Sequence, residues 1–379
     1  MNFLRRISLN RLLLLCGATV AIGISATALA LALGGGPTPP AKPLAQAVHD
    51  ALAGGHSNPI QGYSANVKLT DRLIEGSELA GGGSGQPGGL ASSPLLTGAS
   101  GRLWVSSDGK MRLELQAEKG DTQIVYDGHT VTVYDASSNT IYKFTPKERT
   151  NEAGWKSYAP HDGKNAEPVP SVAKIEEALA EARKHAKVSE GTATDVAGRP
   201  AYTVRVSPNE GGSLIGGAEL SFDADNGLPL RTAVYSSTGS SPVIELAASE
   251  VSYGPVDPSV FQITPPADAK VEDLTIGHGS ESAGGAANGN GKTDANKPKL
   301  TTHGKGISSI AVLEAKSSAG GSSSSSSLES LPKVKIGGAT ASELRTELGT
   351  ILTFERGGLR YVLAGAVAPA AVEALAKGL

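Results

Sequence analysis

Residues 101–116, GRLWVSSDGKMRLELQ, alternate apolar and polar side chains: Met111, Leu113 and Leu115 fall on one side, Arg112, Glu114 and Gln116 on the other. A repeat of two is the pattern of a strand with one buried face. Similar text continues through QIV, TVTVY and TIYKF. The breaks SSDG (106–109), EKGD (118–121), YDGH (126–129) and DASSN (135–139) supply the residues of tight turns. Strands joined this closely run antiparallel, because a parallel return needs a crossover of about a dozen residues. Strand text begins at Tyr63 and resumes at AYTVRV (201–206), AELSFD (218–223), LPLRTAVYS (228–236) and VIELAASEVSYG (243–254). VFQITPPADAKV (260–271) is expected to follow an edge. The fold class is therefore mainly β, a meander rather than a doubly wound sheet.

Two segments change to helical period. PLAQAVHDALA (43–53) has Pro43 at its start and Gly54-Gly55 as its expected stop. SVAKIEEALAEARKHAK (171–187) has Ser171 as cap and Val172, Ile175, Leu179, Ala182 and Ala186 along one face. At the C-terminal end, ILTFE and LRYVL around RGG predict a hairpin, and Pro369–Ala376 a last short helix.

Composition divides this pattern into parts. With Gly 48 and Pro 22 in 379 residues, much of the glycine collects in runs, so the folded part is smaller than the chain. A main domain is expected over 43–276, interrupted by a Gly/Ser/Pro loop at 76–100 and the helical insertion 171–187. A flexible linker follows at 277–306. A small α+β module then spans 307–379, with a Ser-rich loop at 316–330. Residues 1–11 are a basic segment and 34–42 a Pro-rich spacer. Between them, 12–33 carry no charge and reach the ~20 residues that cross a bilayer. Arg5, Arg6 and Arg11 before this run keep the N-terminus cytoplasmic and the bulk of the chain outside. Two readings stay open: a single-pass anchor in the cytoplasmic membrane, or a signal peptide cut near Ala28 or Ala30 to release a secreted protein.

Charge and chemistry narrow the function. The net charge is −3, and no basic patch is interleaved with aromatics, which argues against nucleic acid. Cys16 is the single cysteine, which leaves no intrachain disulfide or thiolate cluster. The seven histidines form no His-x-x-x-His pair, and neither a Gly-x-Ser-x-Gly elbow nor a phosphate loop occurs. Asp223, Asp225 and Asn226 look like a fragment of a calcium loop but lack its distal ligands, so a tight hairpin is expected there. Glu114 and Glu219 alternate with core positions as solvated residues do. No catalytic, cofactor-binding or metal-binding residue is predicted, no cofactor is implied, and the chain is read as not an enzyme.

What remains is the apolar side of the strands. Its candidate lining residues are Leu103 and Val105, then Met111, Leu113 and Leu115, then Val131 and Val133. Later strands add Tyr202, Val204 and Val206, then Leu220, Phe222 and Val234, while Trp104 points to the other side. Packed core and ligand wall share this pattern, and alternation does not choose between them.

Taken in order, GRLWVSSDGKMRLELQ, DTQIVYDGHTVTVYDASSNTIYKF, GRPAYTVRVSP (198–208), AELSFDADNGLPLRTAVY (218–235) and YGPVDPSVFQITPPADAKV (253–271) resemble the LolA-like superfamily. This is the group of LolA-like and RseB-like lipoprotein carriers, here in an actinobacterial, membrane-anchored form. The resemblance spans about residues 43–271; the loop 76–100 and the C-terminal module lie outside it. It implies a strongly curved antiparallel sheet, an open half-barrel covered by helices. It also implies non-catalytic binding of a lipid or lipidated protein in an apolar cavity outside the cytoplasmic membrane, as carrier, chaperone or sensor. The implied partner is a lipid acyl chain or lipoprotein. Alternatively, an RseB-like regulator would bind the extracytoplasmic part of a membrane protein.

Overall fold

Alternating sequence and tight turns lay the first strands side by side as a meander: β1 (Gly62–Asp71), β2 (Ala99–Ser106), β3 (Met111–Ala117), β4 (Gly120–Tyr126), β5 (Val131–Asp135) and β6 (Thr140–Phe144). The computed structural model describes residues 36–74, 94–118, 120–145, 169–264, 266–273, 299–316 and 331–379. The segment 12–33, read above as anchor or signal, lies outside them, as do most of the loop 76–100 and the serine run. Among the described residues no helix is long and apolar enough to cross a membrane. The chain divides into two compact units, one of residues 1–73, 85–209 and 216–274, the other of 74–84, 210–215 and 275–379.

In the first unit the meander is continued by β7 (Ala186–Val188), β8 (Thr192–Val196), β9 (Arg199–Pro208), β10 (Ile215–Asp223), β11 (Pro229–Ser236), β12 (Pro242–Tyr253) and β13 (Lys270–Asp273). They form one 13-stranded sheet in the order β13-β6-β5-β4-β3-β2-β1-β12-β11-β10-β9-β7, with β8 also on β9. The two ends of this path do not pair with each other, so the curved sheet stays an open half-barrel. Irregular pairing at Asn66/Val67 and at Val234/Tyr235 bends it, since a bulged strand turns and twists more than a regular one.

Helix α1 (Leu44–Ser57) runs through Gly54 and Gly55 rather than stopping at them. Its C-terminal turn lies against the 223–228 turn, where a Cβ at Gly54 would sit 1.9 Å from the Asp225 carbonyl oxygen. These glycines provide close approach, not a helix end. Helix α2 (Val172–Arg183) begins as expected, with Lys174 N–H donating to Ser171 Oγ at 3.4 Å, but ends earlier. Ala186 belongs to β7, which the helical period had absorbed, because pairing with Pro208 on β9 outweighs local propensity. The expected edge segment is mixed. Pro258–Phe261 forms a 3-10 turn, and only 270–273 pairs at the edge, parallel to β6, whereas β1–β6 and β12 otherwise pair antiparallel with their neighbours.

The second unit is a six-stranded antiparallel sheet ordered β14 (Lys299–His303), β15 (Ile310–Lys316), β19 (Leu359–Gly365), β18 (Thr350–Arg356), β17 (Ala339–Arg345) and β16 (Lys333–Ile336). Helix α3 (Pro369–Lys377) covers one face, burying Val372 and Ala376 completely against a cluster that includes Ile336, Leu352 and Leu363. The RGG hairpin forms as read, with Arg356 opposite Leu359. Lys299–His303, within the stretch expected to be linker, is a strand because Leu300 and its neighbours pair with β15. Residues 210–215 also belong here: Leu214 N–H donates to the Ala366 carbonyl at 2.8 Å.

Candidate functional site

Strand register settles which candidates share a face. Tyr63, Val105, Met111, Tyr126, Val131 and Phe144 are successive cross-strand partners from β1 to β6. Ala65, Leu103, Leu113, Ile124, Val133 and Tyr142 form the next row, and Val67, Gly101, Leu115 and Thr122 the row beyond. All seven candidates of the first half-sheet are therefore on one side, termed the inner face because Tyr202 and Phe222, on the same side, lie beneath α1 and α2. Trp104 is on the other, paired with Ser64 and Arg112 as its alternation required.

The later candidates lie on the same inner face. The outer face of β9–β12 is marked by charges that touch one another. Arg205 and Arg231 reach Glu219 at 3.1 and 2.9 Å, Tyr235 donates to Glu219 at 2.6 Å, and Arg231 also pairs with Glu245. Tyr202, Val204, Val206, Leu220 and Phe222 alternate with these on β9 and β10, and Val234 sits opposite Ile244 on β11 and β12. Glu219 is thus not the solvated residue expected. Burial alone would raise its carboxyl pKa, and the hydrogen bonds from Tyr235, Arg231 and Arg205 outweigh that and hold it low.

Burial then divides the candidate set. Tyr202 and Phe222 are buried beneath α1 and α2 with Leu44, Ala47, Ile175 and Leu179, and Val204 packs on the edge of that cluster. Val234 is also buried, while Val206 and Leu220 are half-buried. In the first half-sheet Leu113 and Leu115 are buried with Tyr63, Ala65, Val67 and Leu69, and Leu103, Val105 and Leu95 pack against them. Toward β4–β6 the rows open: Met111, Tyr126, Val131, Val133, Tyr142 and Phe144 are all only half-buried. Three aromatic members of that wall, Tyr126, Tyr142 and Phe144, were not on the sequence-derived set. Their period-two spacing in QIVY and TIYKF was the available signal.

The described residues form a depression of about 370 Å³ at the ends of β1–β3, lined by Lys68, Thr70, Ser100, Gln116 and Glu118 among others. A second, of about 220 Å³, lies beside Trp104, Ser252 and Asp257. Neither is lined by a candidate residue.

The polar cluster at the 223–228 turn is structural in its geometry. Asp223 is fully buried and accepts from Arg199 Nε at 2.8 Å, Tyr253 OH at 2.7 Å and Asp225 N–H at 2.8 Å. Burial alone would raise its pKa; these donors outweigh it and keep the carboxylate ionised below its usual range. Arg199 also pairs with Asp225 at 3.0 Å. The hairpin reading of this stretch holds, since Asp223 N–H donates to the Leu228 carbonyl. One acid lacks such help. Burial pushes Asp71 at the end of β1 up to about 6, opposed only by the Leu73 N–H.

A family described as "Predicted periplasmic protein (DUF2092)" matches residues 91–152, the β2–β6 stretch that carries this wall. No curated protein matches the chain. Among solved structures, the chain is similar to the Pseudomonas aeruginosa MucA/MucB complex at 15% identity and TM-score 0.38, over 88% of this chain and 94% of that one. It is similar to an uncharacterized conserved protein from Thermus thermophilus at 13% identity and TM-score 0.34, over 61% and 99%. A LolA superfamily protein from Nitrosomonas europaea aligns at 10% identity and TM-score 0.20, over 85% and 91%.

Proposed function

We propose that the first unit is a non-catalytic, extracytoplasmic binding module that holds an apolar chain, lipid or lipid-modified polypeptide, across the inner face of β3–β6. The observation that supports this reading is the gradient along the rows. Over β9 and β10 helices bury Tyr202 and Phe222 on this face, whereas Met111, Tyr126, Val131, Val133, Tyr142 and Phe144 over β3–β6 are only half-buried. Surface of that kind is retained where something apolar covers it. Burying an acyl chain contributes about 0.8 kcal/mol per methylene, so roughly six methylenes supply about 5 kcal/mol without any polar contact. The "predicted periplasmic" description of the matching family agrees with this placement. The uncharged segment 12–33 would hold the module at the outer side of the cytoplasmic membrane, or direct its secretion if cleaved.

The test is native extraction of the full chain followed by mass analysis of bound amphiphiles. A reproducible lipid or lipidated peptide is expected, and its loss in Val131→Glu. Repeated extraction with no amphiphile overturns the reading. A half-buried apolar face also suits the extracytoplasmic segment of a membrane protein. Photocrosslinking from position 133 in membranes separates the two, since a single polypeptide adduct without lipid favours the regulatory role.

A further inference from the structure

The β6 end of the sheet is finished by a strand that buries almost nothing. β13 runs parallel to β6, with Lys270 opposite Thr140, Val271 opposite Ile141, Glu272 opposite Tyr142 and Asp273 opposite Lys143. All four of its side chains are exposed, Val271 at 55%. It is held at its start by Lys270 N–H donating to the Asn139 carbonyl at 2.9 Å and by Asn139 Nδ2 donating to Asp268 at 3.1 Å. Ordering each residue costs about 1–2 kcal/mol of backbone entropy, and β13 has little side-chain burial to offset it. β6 itself is fixed, with Thr140 and Ile141 each only 4% exposed. A fixed strand edge under a loosely held neighbour is a template for strand addition.

We propose that the edge of β6 now held by β13 is a docking site for an extended segment of a partner polypeptide, which takes the place of β13. The resident strand shows what the edge accepts: a parallel strand with a β-branched apolar residue opposite Ile141 and an acid opposite Lys143. The edge adjoins the apolar wall at Tyr142, which lies opposite Glu272, but strand pairing needs no lipid, so the proposal goes beyond the reading above and fails or stands independently of it.

The experiment is hydrogen exchange on the full chain and on a variant carrying Lys270→Gly, Val271→Gly, Glu272→Gly and Asp273→Gly. The probe is a fluorescein-labelled peptide of residues 267–275, ADAKVEDLT. In the variant, the β6 amides that face β13 are expected to exchange about tenfold faster or more, while β1–β3 keep their protection. The peptide should bind the variant at least roughly tenfold more tightly than the parent and restore that protection. A peptide with proline in place of Val271 should do neither. Unchanged exchange in β6, a peptide that neither binds nor protects, or global unfolding of the variant would each overturn the proposal.

Discussion

At the scale of single residues, two acids of the first unit, buried Asp223 and half-buried Asp71, behave in opposite ways because their surroundings differ. Asp223 is ringed by donors and stays charged; Asp71 has burial and one N–H, and its pKa rises to about 6. The folded state then keeps a proton on Asp71 to about that pH, whereas the unfolded chain releases it near the ordinary value of 3.8. Stability from this group is full below the unfolded value and is lost as pH climbs through the folded one. Asp71→Asn is therefore expected to raise the unfolding free energy from urea titration at pH 8 by about 1–2 kcal/mol, and to leave it nearly unchanged at pH 4. Equal effects at both pH values would mean that the carboxyl is not responsible. Nothing in the sequence distinguishes Asp71 from Asp223, since both end a strand in an alternating run.

At the scale of elements, strands were legible wherever alternation and turn residues agreed, as in β2–β6. Helix ends were less so. Gly54-Gly55 reads locally as a stop, but the turn at 223–228, far away in sequence, approaches too closely for any side chain there. Gly54→Ala forces this contact apart and is expected to cost about 1–3 kcal/mol by thermal or urea unfolding. Gly211→Ala, where a Cβ meets nothing within 4 Å, should stay within ~0.5 kcal/mol. β7 and β8 were missed for a related reason. Each is short, and β8 has little apolar text of its own; both owe their conformation to pairing with β9.

At the scale of the whole molecule, the candidate residues share a face but not a role. Phe222 fills the space between β10 and the two helices, so Phe222→Ala should cost about 3–5 kcal/mol by urea unfolding. Val131 is half-buried on the open wall, and Val131→Ala should cost less than about 1 kcal/mol. Comparable losses at both sites would show that the wall is sealed core.

The chain's own text determined the period-two strands, their antiparallel order through short turns, the two early helices and the common inner face, because these depend on local geometry and on residue types a few positions apart. Only the tertiary structure decided which part of that face is filled. That depends on where α1 and α2 settle and on how far the sheet opens, and both are set by contacts between residues more than a hundred positions apart, such as Tyr202 OH donating to the Pro40 carbonyl at 2.7 Å. An apolar residue is the same letter under a helix and on an open wall.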